Sequence, residues 1–479
     1  MIDYSKKLTL DREFYPLKDI DISIESDRGR ILSAPAFRRL QKRTQVFALE
    51  LNASIRTRLT HSLEVGQTAR FIAKSILTKL KEEGLQKYKL GELENAFVST
   101  AEMTSLLHDI GNPPFGHFAE KSINKWMKNS AVPILDRFKA SSQEVKKLKE
   151  MLAKDICNYD GNAQAIRVIS KLQRLNLSYT QILSVLKYTR GAYEDRVKDE
   201  PLDYLRKKPG FYYSERDFIQ KIQKILDVKA GHRFPITYIM EAADDISYLT
   251  ADLEDSVVKG ILSLDKVYSL IKAECEKENE SYLLEVIQKR YKQAKEDEEP
   301  YQFSMFFTLI RAKLVSSLVR HVVEIYLANH EAIFKGEFNH ALLEYDKESK
   351  YYKAVKILQK ISTKYIYKCK EVQELELQGY SILNALLNLY RPLLELSADD
   401  FRALLNEESI ECFVSMRLIR RVSSKQISAY KNDEKKLNTK DKESYEMLEW
   451  YYRVRLITDY ISGMTDDFAL KEFHVLTAL

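Results

Sequence analysis

The chain has 479 residues but only 14 glycines and 10 prolines, too few turn formers for a hairpin-rich or linker-joined protein of this length. Leu, Lys, Glu, Ala, Ile and Arg dominate, which favours one large all-α body, interrupted by at most a short β-hairpin, over the two or three domains that length alone would allow. With 76 basic and 70 acidic residues the net charge is +6, too small to demand a nucleic-acid partner, though a local basic patch stays compatible with one.

In chain order, the N-terminal stretch MIDYSKKLTLDREFYP is charged and lacks the apolar core of a signal peptide. Val65, Ala69, Ile72, Ala73, Ile76, Leu77 and Leu80 follow helical spacing, predicting an amphipathic helix with His61 near its start. A second helix is expected from about Leu93 to Asp109, stopped by Gly111 and the Pro113-Pro114 pair. TYIMEAADDISYLTADLED, Thr237 to Asp255, reads as a third, with Ile239, Ala243, Ile246 and Leu249 as its apolar stripe. Further helical patterns occupy roughly 303–330, 350–395 and 443–462, and loops are expected at 210–217, 294–300 and 431–444. Cys157, Cys275, Cys369 and Cys412 form no CxxC pair and read as reduced thiols. No apolar run approaches the ~20 residues of a membrane span, so a soluble cytoplasmic protein without membrane contact is expected.

Divalent transition metals take neutral imidazoles and ionised carboxylates, which helices supply rigidly when the ligands face one interior. His61, His108, Asp109 and one Asp of the pair Asp244-Asp245 would make such a set from three helices. Adjacent His108 and Asp109 can both reach one ion only where a helix ends and the backbone turns. Taken singly, each feature is ordinary: a core histidine, or an Asp-containing helix stop before glycine. Their combination points to metal chemistry.

RTRLTHSLEV (56–65), HDIGNPPFGH (108–117) and MEAADDISYLTADLED (240–255) resemble the HD-domain phosphohydrolase superfamily. More narrowly, they resemble its bacterial dGTPases, the deoxyguanosine triphosphate triphosphohydrolases. ESDRGRILSAPAFRRLQKRTQVF (25–47), GNAQAIR (161–167), LKYTR (186–190), FNHALLE (338–344), LELQGY (375–380), YRPLL (390–394) and DYISGMTD (459–466) extend that resemblance along nearly the whole chain. It implies a single unit over 1–479. Residues 56–255 would form an HD core with insertions, and a helical region over 256–479 would contribute to the nucleotide site and oligomer contacts.

The resemblance implies hydrolysis of dGTP to deoxyguanosine and inorganic triphosphate, by water attack at the α-phosphorus. It assigns metal binding to His61, His108, Asp109 and Asp244, with Mn2+ or Mg2+ as the expected ion and Co2+ or Fe2+ as alternatives. Asp244 is preferred over Asp245 because a sugar-contacting Tyr248 and then Asp252 follow at spacings of four, on one helix face. His117 takes the proton-transfer role and Glu120 orients it. Arg58 and Lys187 would contact phosphates, and Gln45 and Val46 the sugar 3′-OH and base edge. Tyr248 would exclude a ribose 2′-OH. Tyr367, in a place where the family carries Phe, would stack on guanine while Glu376 and Arg417 read its edge. Homo-oligomers, commonly hexamers, and single-stranded DNA as an effector are the implied partners besides dGTP. The competing readings are a broader dNTP triphosphohydrolase, an HD-type nucleotidase or phosphodiesterase, and a single-stranded DNA-binding regulator.

Overall fold

The computed structural model describes residues 2–408, 410–437 and 441–478, and within them every side chain except that of His117. Its regular secondary structure is almost wholly helical. The elements that position the candidate site are α1 (Ile20–Ser33), α2 (Arg58–Glu83), α3 (Glu94–Leu107), α4 (Gly116–Trp126), α5 (Gln143–Ile156), α6 (Gly161–Arg167), α7 (Tyr179–Val185) and α8 (Pro235–Val258). They continue with α9 (Glu299–Ala328), α10 (Lys350–Tyr365), α11 (Lys370–Tyr390), α12 (Lys442–Ser462) and α13 (Asp466–Thr477). Two further helices, Leu264–Lys277 and Ser281–Lys295, lie between α8 and α9.

Local sequence explains the boundaries of the site-bearing helices. α2 begins at a capping box, in which the Thr57 and Thr60 side chains each accept from the other's backbone N–H, and ends at Gly84 with φ 88°. Pro235 starts α8, where its missing N–H costs nothing. The apolar stripe of α2 is fully buried, and each large aliphatic on it contributes on the order of 1.5–3 kcal/mol. That stripe packs on α3 and α8, so the starts of α2, the end of α3 and the middle of α8 converge.

The buried apolar residues form two clusters. One joins α2, α3, α7, α8, α9 and α10, and the other joins α4, α5, α12 and most of α11. The candidate site opens between them, walled by residues of both.

The structure departs from the sequence expectations in three places. Arg190–Gly191 and Pro209–Phe211 pair in parallel, so the short β element is a crossover pair and no hairpin. The pattern over 350–395 breaks at residues 366–369, where Cys369 caps α11, so α10 and α11 are separate. The loops expected at 210–217, 294–300 and 431–444 shrink, because helices Arg216–Ile225, Ser281–Lys295, Glu299–Ala328, Ser424–Glu434 and Lys442–Ser462 extend into them; charged residues are compatible with exposed helix faces as well as loops. Residues 438–440 of the latter stretch lie outside the described residues. Among the described residues no helix is long and apolar enough to cross a membrane.

Candidate active site and metal centre

His61, on the first turns of α2, is fully buried, and its Nε2 lies 3.3 Å from Asp244 Oδ1 on α8. His108 follows the last residue of α3. Its Nδ1 lies 2.6 Å from the Ser105 carbonyl, and because a carbonyl only accepts, Nδ1 carries the proton. That bond leaves His108 Nε2 as the free acceptor, 3.6 Å from Asp244 Oδ1 and 3.6 Å from Asp109 Oδ1. One ligand atom each from His61, His108 and Asp244 falls within 4.8 Å of the others. His61 Nδ1 is buried with no partner. Two imidazole nitrogens and a carboxylate aimed at one point fit a divalent transition metal.

Asp109 stands beside this trio, its Oδ1 on the His108 side, with both carboxylate oxygens already engaged. Oδ2 takes Arg58 at 2.5 Å and Oδ1 accepts from Asn112 Nδ2 at 2.5 Å. Burial disfavours its charge, yet Arg58 and His108 outweigh burial and hold its carboxyl well below the usual range. Asp244 is likewise held low, since His108, His61 and Lys187 overcome its burial. Lys187 Nζ lies 3.6 Å from Asp244 Oδ2 and 4.0 Å from Glu241 Oε1. Asp245, one residue along, is pushed up to about 8 by burial, with Lys187 opposing and Glu241 and Asp244 adding to the rise.

A cavity of about 500 Å3 opens on these groups, a size suited to a nucleotide-like ligand. Arg58, His108, Asp109 and Asp244 share its wall with Gln45, Val46, Tyr248, Asp252, Tyr367 and Glu376. Asp244, Tyr248 and Asp252, four residues apart on α8, therefore face the same space. Tyr367, in the break between α10 and α11, donates its hydroxyl to Asp252, whose own carboxyl burial raises to about 6. Gln359 Nε2 donates to the Tyr248 hydroxyl at 2.5 Å, fixing that ring against α10. Gln45 Oε1 is buried and unpartnered, leaving an acceptor for a ligand hydroxyl or amine. Burial raises the Glu376 carboxyl.

Arg417 does not join this group: it is exposed on helix Phe413–Ile419, where it donates to the Phe413 carbonyl and lies over the Phe413 ring. His117 occupies the first turn of α4, and its side chain lies outside the described residues. Glu120, one turn on, is buried and accepts from the Gly161 N–H at the start of α6 with a 2.9 Å bond.

The turn between α3 and α4 is held by residues to which the sequence reading gave no part in the site. Gly111 lies so close to α6 that a Cβ there would overlap the Gly161 carbonyl and the Ala165 amide, which explains the glycine by close approach. Phe115, with φ 61°, is the strained residue just before α4, and its N–H donates to Asp466 Oδ1 at 3.0 Å. Asp466 Oδ2 accepts from Thr44 N at 3.1 Å and Thr44 Oγ1 at 2.7 Å. Buried Arg43 donates to the carbonyls of Asn112, Ser462 and Met464. Lys208 approaches from the parallel strand pair, 3.5 Å from Asp160, the cap of α6. RTQVF and GMTD were visible as motifs, but nothing in their spacing says that they meet.

Comparison with family models bears on both the site and its brace. Residues 58–179 match the HD domain, a fold that binds divalent metals, and residues 415–475 match the phosphohydrolase-associated domain. Asp244 and the rest of α8 lie between the two matched segments. The first segment carries His61, His108 and Asp109, the second carries the Asp466 that braces their turn, and together they support membership of this chain in the HD phosphohydrolase superfamily.

Proposed function

We propose that this protein is a metal-dependent triphosphohydrolase that cleaves dGTP into deoxyguanosine and inorganic triphosphate. The carrying observation is one cavity whose wall combines the His108–Asp244 end of a metal-type cluster with Arg58 and with Gln45, Tyr248, Tyr367 and Glu376. A phosphate-only substrate would leave that second group without a use.

His61, His108 and Asp244 would hold the ion, with Asp109 beside them. The bound cation supplies positive charge that polarises a phosphoryl oxygen. Arg58 in the cavity wall and Lys187, 3.6 Å from Asp244 Oδ2, would supply fixed positive charge that offsets the negative charge of the triphosphate. Water adds to the α-phosphorus, the bond to the 5′-oxygen breaks, and His117 delivers a proton to that oxygen. A histidine titrates near ~6.5, which suits proton delivery close to neutrality. Glu120 would orient that imidazole from the same helix. Gln45 and Val46 meet the sugar and base, Tyr248 fills the space a 2′-hydroxyl would need, and Tyr367 stacks on the base while Glu376 reads its edge.

The test is a panel of dATP, dCTP, dGTP, dTTP and GTP with Mn2+ or Mg2+, with the products identified. The expected result is fastest turnover of dGTP, almost none of GTP, and tripolyphosphate as the only early inorganic product. Release of pyrophosphate and dGMP would refute the reaction; equal turnover of all four dNTPs would refute the guanine preference alone. His117→Ala is expected to keep manganese affinity while losing at least about 100-fold in kcat, the scale of one general-acid contribution.

A further inference from the structure

A second cavity, of about 40 Å3, shares no wall residue with the larger one. Its walls include Arg39, Arg43, Gly111, Gln164, Ser462 and Lys425. Among the described residues Arg39 has no hydrogen-bond or ion-pair partner, and its Nε is sealed from solvent. Arg43, only 3% exposed, gives four of its five N–H donors to neutral carbonyls, keeps one on Nη1, and has no carboxylate within ion-pair distance. The one acid in the wall, Asp459, is already taken by Arg167 Nε at 2.8 Å and Gln164 Nε2 at 2.8 Å. Two guanidiniums thus face a polar hole with no counter-charge of their own, an arrangement that is costly unless an anion completes it. Burial pulls both guanidiniums below their ordinary range, and their mutual repulsion adds to the effect on Arg43.

Two further atoms narrow the ligand. Ser462 Oγ and Gln164 Oε1, on residues each 2% exposed, are buried; Gln164 Oε1 has no partner, and Ser462 Oγ has beside it only the Tyr159 hydroxyl, whose own proton goes to the Gly111 carbonyl. The serine can donate, whereas the glutamine oxygen can only accept. We propose that this cavity binds one phosphate group bearing a free P–OH. Arg39, Arg43 and Ser462 donate to its oxygens, Lys425 closes the rim, and its P–OH donates to Gln164 Oε1. The volume is that of about three or four waters at ~10–15 Å3 each, which admits one tetrahedral oxyanion and excludes a base or sugar from the hole itself. Inorganic phosphate and the terminal phosphate of a polyphosphate or nucleotide meet the P–OH requirement; the diester backbone of a nucleic acid does not. Because Arg43 also holds the Asn112 carbonyl, a bound phosphate stiffens the turn that carries Asp109.

Calorimetry of the full-length chain with inorganic phosphate, with tripolyphosphate and with a thymidine oligomer lacking terminal phosphates separates the sources. The expected result is a binding event common to phosphate and tripolyphosphate, apart from any binding of tripolyphosphate in the larger cavity, that Arg39→Gln weakens about tenfold or more, the scale of a lost charge-assisted contact. Ser462→Ala weakens the same event several-fold, and Arg58→Gln, in the larger cavity, leaves it intact. Tungstate soaked into crystals should give an anomalous peak between Arg39, Arg43 and Ser462. Phosphate affinity indifferent to both Arg39→Gln and Ser462→Ala overturns the proposal, as does sensitivity to Arg58→Gln alone. Competition by the oligomer overturns the P–OH requirement.

Discussion

Asp244 and Asp245 are chain neighbours of one chemical type in opposed surroundings. Asp244 receives His61 Nε2 at 3.3 Å and Lys187 at 3.6 Å, while burial pushes Asp245 up to about 8, so that it is mostly uncharged at neutral pH. Substituting Asn at each position therefore separates two effects. Asp244→Asn removes the charge on which both imidazoles converge and should weaken manganese binding at least about tenfold, the low end of what even outer contacts contribute to metal sites. Asp245→Asn exchanges one largely neutral group for another and should leave manganese affinity within about threefold. Titration of both variants with manganese decides it, and equal losses would detach Asp244 from the metal. Periodicity alone could not choose between these residues, because both sit off the apolar stripe of α8. The resemblance chose Asp244 through Tyr248 and Asp252 at spacings of four, and those three side chains do face one cavity. Arg417 fared differently: no helical pattern was read around it, and the face that its short helix turns to solvent is not set by local spacing.

At the scale of elements, the turn between α3 and α4 is braced by the first residue of α13. Asp466 is 2% exposed and holds Phe115 N–H on one oxygen and Thr44 N–H and Oγ1 on the other. Asp466→Asn keeps the shape but turns one acceptor into a donor facing N–H groups, so one side of the brace is lost and replaced by repulsion. Bonds of this kind to a charged group contribute about 1.5–3 kcal/mol each. The expected outcome is a clear drop in melting temperature together with at least about a tenfold drop in kcat, as Phe115 relaxes from its left-handed conformation and α4 shifts. Thr44→Val removes only the hydroxyl donor and should lose less of both. A kcat that falls only in proportion to the folded fraction would leave Asp466 a purely stabilising residue. Helices α2, α3 and α8 were legible because their apolar residues repeat along a continuous stretch. This brace was not, because it joins residues 44, 115 and 466, and no local pattern encodes a contact between segments so far apart in the chain.

Across the whole molecule, the N-terminal segment is tied to the end of α9 by a buried polar knot that makes stability depend on pH. The Tyr4 hydroxyl lies 2.8 Å from the Tyr326 hydroxyl and 3.0 Å from His330 Nε2, and Tyr4 and His330 are 1% and 7% exposed. Burial lowers His330 from 6.5 to about 4; Glu83 nearby opposes the shift and Lys87 adds to it. The folded chain thus keeps this imidazole neutral over a range in which the unfolded chain binds a proton. The contribution is complete above pH ~6.5, declines as pH falls through that value, and has gone by pH ~4. The full loss is about 3 kcal/mol from a shift of this size. Asp255 titrates in the same window with the opposite sign, since burial raises it to about 6, so the wild-type curve alone cannot isolate the knot. His330→Gln can, because an amide oxygen still accepts from Tyr4 but does not titrate near neutrality. Denaturant unfolding of both proteins from pH 8 to pH 4 should give a stability difference that moves in favour of the variant by up to about 3 kcal/mol as the pH falls. Parallel curves would mean that His330 is protonated in the folded chain, and the knot would then require a different proton arrangement among Tyr4, Tyr326 and His330.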